Sequence, residues 1–229
     1  VAGNVATANG TEFSIDTSAP AATGALTATA PNDSGTLGDN RTNDTTPTLS
    51  GTTEPLASVS VVVNGVTYTT TANSSGAWSV TTNTLTDGSY TPVITTTDVA
   101  GNTTTANGTA FTIDATAPAA TGALTATAPN DSGTVGDNRT NDTTPSISGV
   151  TEPLASVSVV INGQTYTTTA DSAGAWSITS AVLTDGSYTP VITTTDVAGN
   201  TATASGTAFT IDTTPPAITL ATVGDDVPG

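Results

Sequence analysis

The chain has 229 residues with no Cys, His or Met, 19 acidic side chains and two basic ones, for a formal net charge of -17. That composition excludes disulfides, thiol chemistry, histidine acid–base pairs, and zinc or copper sites built on thiolate or imidazole. Arg41 and Arg139 cannot neutralise a phosphate backbone, and no apolar run approaches the roughly 20 residues of a spanning helix, so neither nucleic-acid binding nor direct membrane insertion is expected.

From its first residues the chain repeats itself. Val1-Ala2-Gly3-Asn4 returns at 99–102 and 197–200, and Phe13, Phe111 and Phe209 form a series 98 residues apart. Residues 1–16 read as the last strand of a preceding repeat, 17–114 as the first full repeat, 115–212 as the second and 213–229 as the start of a divergent next one. The two full repeats match at 82 of 98 positions. With no initiator methionine and no signal-peptide pattern, the sequence reads as an excerpt of something longer. A period near 100 exceeds the roughly 20–50 residues of a solenoid turn and is the size of an autonomous domain.

Within a repeat the apolar period is two. Val59, Val61 and Val63 share one parity, as do Trp78 with Val80 and Phe111 with Ile113, which is the pattern of half-buried strands. Taken along the first repeat, strands are predicted at 23–30, 47–53, 58–64, 66–72, 77–83, 89–97 and 103–113. Asn64-Gly65 marks a type I′ hairpin turn between the third and fourth, and Ser75-Gly76, Asp87-Gly88 and Ala100-Gly101-Asn102 mark others. About seven strands in about 100 residues predict an all-β chain of tandem immunoglobulin-like β-sandwiches, arranged as an elongated rod. Leu49, Val61, Trp78, Tyr90 and Phe111 are the expected core. It is thin and rich in Ala, so an external staple is expected.

The acidic residues avoid the strands. In this fold the loop with Glu54 and the loop with Asp98 share one pole, and the exit of the preceding repeat brings Asp16 beside them. The same reasoning groups Asp114 with Glu152 and Asp196, with Asn102 and Asn200 in the same loops as neutral oxygen donors. Carboxylates without nitrogen or sulfur ligands suit a hard cation, and irregular loops favour Ca²⁺ over Mg²⁺. The loop 31–44, with Asp33, Asp39 and Asp44, is a second candidate, repeated by Asp131, Asp137 and Asp142. It lacks the spacing of an EF-hand. The plain alternatives are that loop Asp residues form turns, as at Asp87-Gly88, and that acidity serves solubility. Arg41 and Arg139 either pair with a neighbouring Asp or stay solvated. Paired carboxylates also occur in glycosidases. Here they lie on loops, duplicated with the whole unit, with few aromatics to hold a sugar, so no enzyme is expected.

In order, Asp33-Ser34-Gly35, Thr42-Asn43-Asp44-Thr45-Thr46-Pro47, Glu54-Pro55, Gly76-Ala77-Trp78-Ser79, Leu85-Thr86-Asp87-Gly88-Ser89-Tyr90, Asp98-Val99-Ala100-Gly101-Asn102 and Ile113-Asp114-Ala115-Thr116-Ala117-Pro118 resemble the bacterial Ig-like repeats of giant type I-secreted, biofilm-associated surface adhesins. The resemblance implies a secreted stalk at the bacterial cell surface that projects a distal binding domain. It also implies Ca²⁺ at domain junctions, on Asp16, Glu54 and Asp98 and on Asp114, Glu152 and Asp196. Neighbouring repeats of the same chain are the implied partners, and host or surface ligands would be met by other domains. Where the resemblance has Gly-Ala-Thr after Glu-Pro, this chain has Leu56-Ala57-Ser58. Two other readings stand beside the extender: a carbohydrate- or protein-binding module using Tyr68 and Tyr166, and a filament subunit that donates the strand Gly10–Ile15 to a neighbour.

Overall fold

Alternation of branched apolar residues with Ser and Thr suits a pleated surface with one face buried, and strands form on those runs. The computed structural model describes residues 2–3 and 5–219, and all regular structure among them is β. The chain divides near Thr116 into two compact units. The first contains β1 (Ala25–Leu26), β2 (Arg41–Thr42), β3 (Thr48–Thr52), β4 (Ser58–Val63), β5 (Val66–Thr71), β6 (Ala77–Thr81), β7 (Gly88–Tyr90), β8 (Val93–Thr97), β9 (Thr103–Asn107) and β10 (Phe111–Ile113). They form a three-stranded sheet β1-β3-β6, a three-stranded sheet β2-β10-β7 and a four-stranded sheet β5-β4-β8-β9.

The second unit repeats this. It runs through β11 (Ala123–Leu124), β12 (Arg139–Thr140), β13 (Ser146–Val150), β14 (Ser156–Ile161), β15 (Gln164–Thr169), β16 (Ala175–Thr179), β17 (Gly186–Tyr188), β18 (Val191–Thr195), β19 (Thr201–Ser205) and β20 (Phe209–Ile211). Its sheets have the same orders, β11-β13-β16, β12-β20-β17 and β15-β14-β18-β19.

Two predicted strands are each broken in two. The run 89–97 changes sheets at Thr91-Pro92: β7 pairs with β10, and β8 pairs with β4. Pro92 has no N–H to give to a ladder, so the strand cannot pass through it unbroken. The run 103–113 breaks at Gly108, between β9 and β10. Gly108 N–H donates to Pro92 O at 2.8 Å, so the two breaks are joined to each other. A third difference lies in the predicted loop 31–44, where Arg41 and Thr42 pair in parallel with Thr112 and Ile113. The predicted strand 23–30 pairs only through Ala25 and Leu26. At the β4–β5 hairpin Asn64 and Gly65 both have positive φ, 49° and 76°, as a type I′ turn requires.

The core of the first unit is Leu26, Leu49, Val59, Val61, Val63, Trp78, Ile94, Phe111 and Ile113, with Tyr90 partly buried against it. The rings of Tyr90 and Phe111 lie 5.7 Å apart. The second unit has the same core, centred on Trp176. Each indole lies close against glycine backbone: a Cβ at Gly51 would stand 2.1 Å from Thr23 O and 2.7 Å from the Trp78 ring, and one at Gly24 would meet that ring at 2.6 Å.

No strand forms before β1 among the described residues. Phe13, whose counterparts Phe111 and Phe209 are 1% exposed, is 85% exposed. Residues 5–16, within the segment 1–16 predicted as a last strand, form no strand in this structure. Of the divergent start 213–229, residues 220–229 lie outside the described residues.

Replacing Gly51 and Gly149 by Ala forces backbone or indole to move in both units. Thermal unfolding of G51A/G149A should show a loss of about 1–3 kcal/mol per unit, the usual cost of overpacking. An unchanged midpoint would mean that the indoles do not require this close approach.

Candidate metal centre

Glu54 is set by a tight turn. After β3, Glu54 O accepts Ala57 N–H at 3.2 Å, with Pro55 and Leu56 at the central positions. Leu56 has φ of 64°, which makes this a type II turn, the kind that favours Gly at its third position. Leu56 is 60% exposed, so no packing rewards the strain. Thr53 N–H donates to Gly76 O at 2.9 Å and ties the turn to the start of β6.

Asp98 and Asn102 close the β8–β9 hairpin. Asn102 N–H donates to Asp98 Oδ1 at 2.8 Å, and Asn102 Nδ2 donates to Asp98 Oδ2 at 2.7 Å. Asp98 is buried. The Asn102 side-chain amide, the largest influence, holds its carboxyl below the usual aspartate value. Desolvation opposes that, and the N–H groups of Asn102, Gly101 and Ala100 reinforce it. The third member arrives on the entering segment. Asp16 Oδ1 accepts Ser18 N–H at 3.0 Å, and Asp16 O accepts Asn102 Nδ2 at 3.1 Å. Asn102 thus acts as the amide donor that positions two acidic residues.

The result is one carboxylate oxygen each from Asp16, Glu54 and Asp98, all within 4.8 Å of one another. They open on a cavity of about 400 Å³ lined also by Ser14, Pro55, Val99 and Ala100. Oxygens bound to one Ca²⁺ at 2.3–2.6 Å can stand about that far apart. With no cation, each pair repels by roughly 1 kcal/mol in water and about 4 kcal/mol at the effective dielectric of a protein surface. The donor set, all oxygen and formally -3, fits a hard divalent cation. In the second unit Glu152 and Asp196 hold the corresponding loop positions after β13 and β18, and Asn200 the position of Asn102.

The other acidic residues divide by what their oxygens accept. Asp44 Oδ1 accepts the N–H of Thr46 at 2.9 Å and its hydroxyl at 3.1 Å, and Asp142 Oδ1 accepts Thr144 N–H at 2.9 Å. These are turn-forming contacts. Asp39 Oδ1 accepts Arg41 N–H at 2.8 Å, and Asp137 Oδ1 accepts Arg139 N–H at 2.9 Å. Asp33 and Asp131 are buried, each with Oδ2 accepting a glycine N–H, from Gly38 and Gly136. Asp114 Oδ2 lies 3.9 Å from Arg41 and Asp212 Oδ2 lies 3.5 Å from Arg139, half-exposed pairs that add little stability.

One acidic residue does more than its sequence context suggested. Asp87 accepts Ala115 N–H at 2.9 Å and the Thr116 hydroxyl at 2.6 Å, clasping the segment that leaves the first unit. Asp185 does the same to Thr213 and Thr214. The signal available in sequence was only the recurrence of Asp-Gly at a fixed distance before the strand end. The two tyrosines considered for ligand binding are committed elsewhere. Tyr68 and Tyr166 pack against the cores, and their hydroxyls accept Asn83 N–H at 2.9 Å and Ala181 N–H at 2.8 Å.

Two tandem all-β units of this topology, each with acidic loops at one pole, define an immunoglobulin-like repeat. The bacterial Ig-like domain family matches residues 20–115 and 118–213, and the chain belongs to that family. Comparison with curated proteins returned no match. Among solved structures, a tetra-tandem repeat in the extending region of a large adhesion protein is 29% identical, with a TM-score of 0.39 over 86% of this chain and 50% of that one. A Ca²⁺-stabilized adhesin that helps an Antarctic bacterium bind ice is 30% identical, with a TM-score of 0.39 and the same coverage of 86% and 50%. A 1.5-MDa bacterial ice-binding adhesin is 27% identical, with a TM-score of 0.40 over 83% and 64%. The chain thus spans half of the first two structures and under two thirds of the third. No helix among the described residues is long and apolar enough to cross a membrane.

The Asp87 clasp carries a pH signature. The Thr116 hydroxyl and then the Ala115 N–H lower its carboxyl below the ordinary 3.8. Its stabilisation is therefore complete above the unfolded value and is lost as pH falls through the lower folded value. In NMR titrations the Ala115 amide shift should move with a midpoint below 3.8, and Asp87→Asn should abolish that step. A midpoint at or above the ordinary value would contradict the clasp. Separately, Leu56→Gly with Leu154→Gly removes two left-handed leucines and should raise thermal stability by about 1 kcal/mol per unit. A lowered midpoint would mean that the exposed side chains make contacts worth more than the strain.

Proposed function

We propose that this chain is a non-catalytic extender segment of a secreted bacterial surface adhesin, a stalk that carries a distal binding domain away from the cell. The observation that carries the reading is duplication of a complete bacterial Ig-like unit at 82 of 98 positions. Copying a whole domain adds length, and the loops 53–57 and 98–102 that present the acidic pole residues return without change at 151–155 and 196–200.

Calcium is the proposed stiffener. Asp16 arrives on the segment that enters the first unit, while Glu54 and Asp98 belong to that unit's own loops. Ion binding to all three would convert mutual repulsion into shared ligation and fix the entering segment to the pole. By the repeat, Asp114, Glu152 and Asp196 would serve the next junction. Extracellular modules of this kind bind Ca²⁺ with Kd of about 10⁻⁴–10⁻³ M, within reach of the calcium outside cells. The same carboxylates in both repeats, and tyrosines whose hydroxyls are already bonded, support this reading over a carbohydrate-binding module.

Small-angle scattering of the chain in millimolar Ca²⁺ and in EDTA tests the proposal. The expected result is a longer, stiffer particle with Ca²⁺, and Asp98→Asn with Asp196→Asn should weaken the response about tenfold in calcium concentration, as loss of one charged ligand per site would. Identical scattering in the two conditions would end the calcium claim.

A further inference from the structure

We propose that two copies of this chain associate edge to edge, β9 of one copy pairing antiparallel with β9 of another, and that β19 offers the second unit's edge in the same way. The proposal is independent of the stalk reading and of calcium.

The observation that carries it is a row of backbone groups with nothing to bond. Asp98 N–H donates to Asn102 O at 3.0 Å and Gly108 N–H to Pro92 O at 2.8 Å. Between those two bonds Thr96 faces Thr104 and Ile94 faces Ala106. Bonded and unbonded pairs alternate along an antiparallel ladder. Thr104 and Ala106 therefore turn their N–H and C=O groups toward β8, and Thr103, Thr105 and Asn107 turn theirs away. None of those outward groups has a hydrogen-bond partner among the described residues, and all three residues are exposed. Past the end of β9 the edge closes, where Gly24 O accepts Thr109 N–H at 2.9 Å.

Sheet edges in soluble proteins are guarded by charge, Pro, bulges or cover. The other edge of this sheet is covered: β5 runs beside β6, and Asn83 N–H donates to Tyr68 OH at 2.9 Å. The register of β9 is unbroken, and its sequence Thr-Thr-Thr-Ala-Asn holds neither charge nor Pro; nor does Thr-Ala-Thr-Ala-Ser in β19. The strands β4, β5, β8 and β9 carry no charged residue, in a chain whose net charge is -17. This sheet is where two such chains approach with least repulsion.

A second copy suits the edge because the edge complements itself. Turned end for end about Thr105, it sets Thr105 opposite the same residue of the other copy and Thr103 opposite Asn107, so each outward N–H meets a C=O. Thr opposite Thr is a favourable cross-strand pair. The antiparallel sense also carries the acidic poles at Asp98 to opposite ends of the seam, whereas parallel pairing would set them side by side. A five-residue strand is far shorter than the roughly 20–30 residues a side of a standard interface, so the contact is weak and reversible.

Sedimentation equilibrium of the whole chain in EDTA tests this. The weight-average mass should rise with protein concentration. The rise should be steeper at about 0.15 M salt than at about 0.01 M, because the screening length falls from about 30 Å to about 8 Å. On association, amide exchange should slow at Thr103, Thr105 and Asn107, the alternate set left unprotected in dilute solution. Thr105→Pro with Thr203→Pro removes an outward N–H that the fold does not use, and should raise the association Kd about tenfold. Thr105→Ala with Thr203→Ala loses the hydroxyl bonds to Thr95 and Thr193 but keeps the N–H, and should associate as the unaltered chain does. A chain that stays monomeric at every concentration leaves the edge to strands of other proteins and overturns the proposal. So do association without slowed exchange at those three amides, and equal association by the Pro and Ala variants.

Discussion

The interaction on which the rest depends is the bond from a backbone N–H to a nearby carboxylate or amide oxygen. The first full repeat has seven acidic residues and one arginine, so counter-charges within the chain cannot hold its loops. N–H donors hold them instead. Asp16 accepts from Ser18, Asp39 from Arg41, Asp44 from Thr46 and Asn73 from Ser75, each two residues ahead. An Asp or Asn side chain that mimics a backbone turn in this way fixes a loop without hydrophobic cover. That suits a domain whose core is one Trp, one Phe and a set of aliphatic side chains.

This economy sorts the acidic residues by what is left over. Asp87 spends both oxygens on the chain and Asp44 its Oδ1, and these bonds give local order. Asp98 accepts from Asn102 through both oxygens. A carboxylate oxygen has more than one lone pair, however, so the same bonds that orient it leave it able to meet a cation. They also keep it ionised, which ligation requires. At the pole the carboxylates of Asp16 and Glu54 complete a cluster whose charge nothing in the unit opposes. Repulsion there is a property of the folded state, and an ion that removes it acts on the fold and on the entering segment together.

The strand plan was legible because its period of two is nearly uninterrupted from Val59 to Val63 and around Trp78. Asn64-Gly65 declared its hairpin because few other residue pairs tolerate two successive positive φ values. The splits at Pro92 and Gly108 were hidden by favourable flanks: Tyr90, Val93 and Ile94 on one run, Thr103–Asn107 and Phe111 on the other, all suit strands. Only the missing N–H of Pro92 hinted that one run serves two sheets. β2 escaped because two residues carry no periodicity, and its parallel pairing with β10 joins residues about seventy apart. The meeting of Asp16, Glu54 and Asp98 followed from the topology of the loops. The role of Asp87 did not, since an Asp before Gly describes an ordinary turn equally well.

Core and pole are mechanically one piece, and the link runs through Gly76. Its φ is 82°, and a Cβ there would stand 2.1 Å from Thr53 O, so the turn before β6 presses directly on the turn that presents Glu54. Thr53 N–H returns the contact by donating to Gly76 O. Two residues on, Trp78 lies over Gly24 and Gly51, locking β6 to the start of the domain and to the end of β3. The position of Glu54 is therefore inherited from the indole through a few rigid contacts, not from the strained turn at Leu56 alone. A thin core can support a well-placed carboxylate when its largest side chain sits two residues from the strut that carries it. Because that strut is built from the protein's own backbone, the sandwich does not need an ion to place Glu54. What an ion adds is neutralisation of the charge that the placement concentrates.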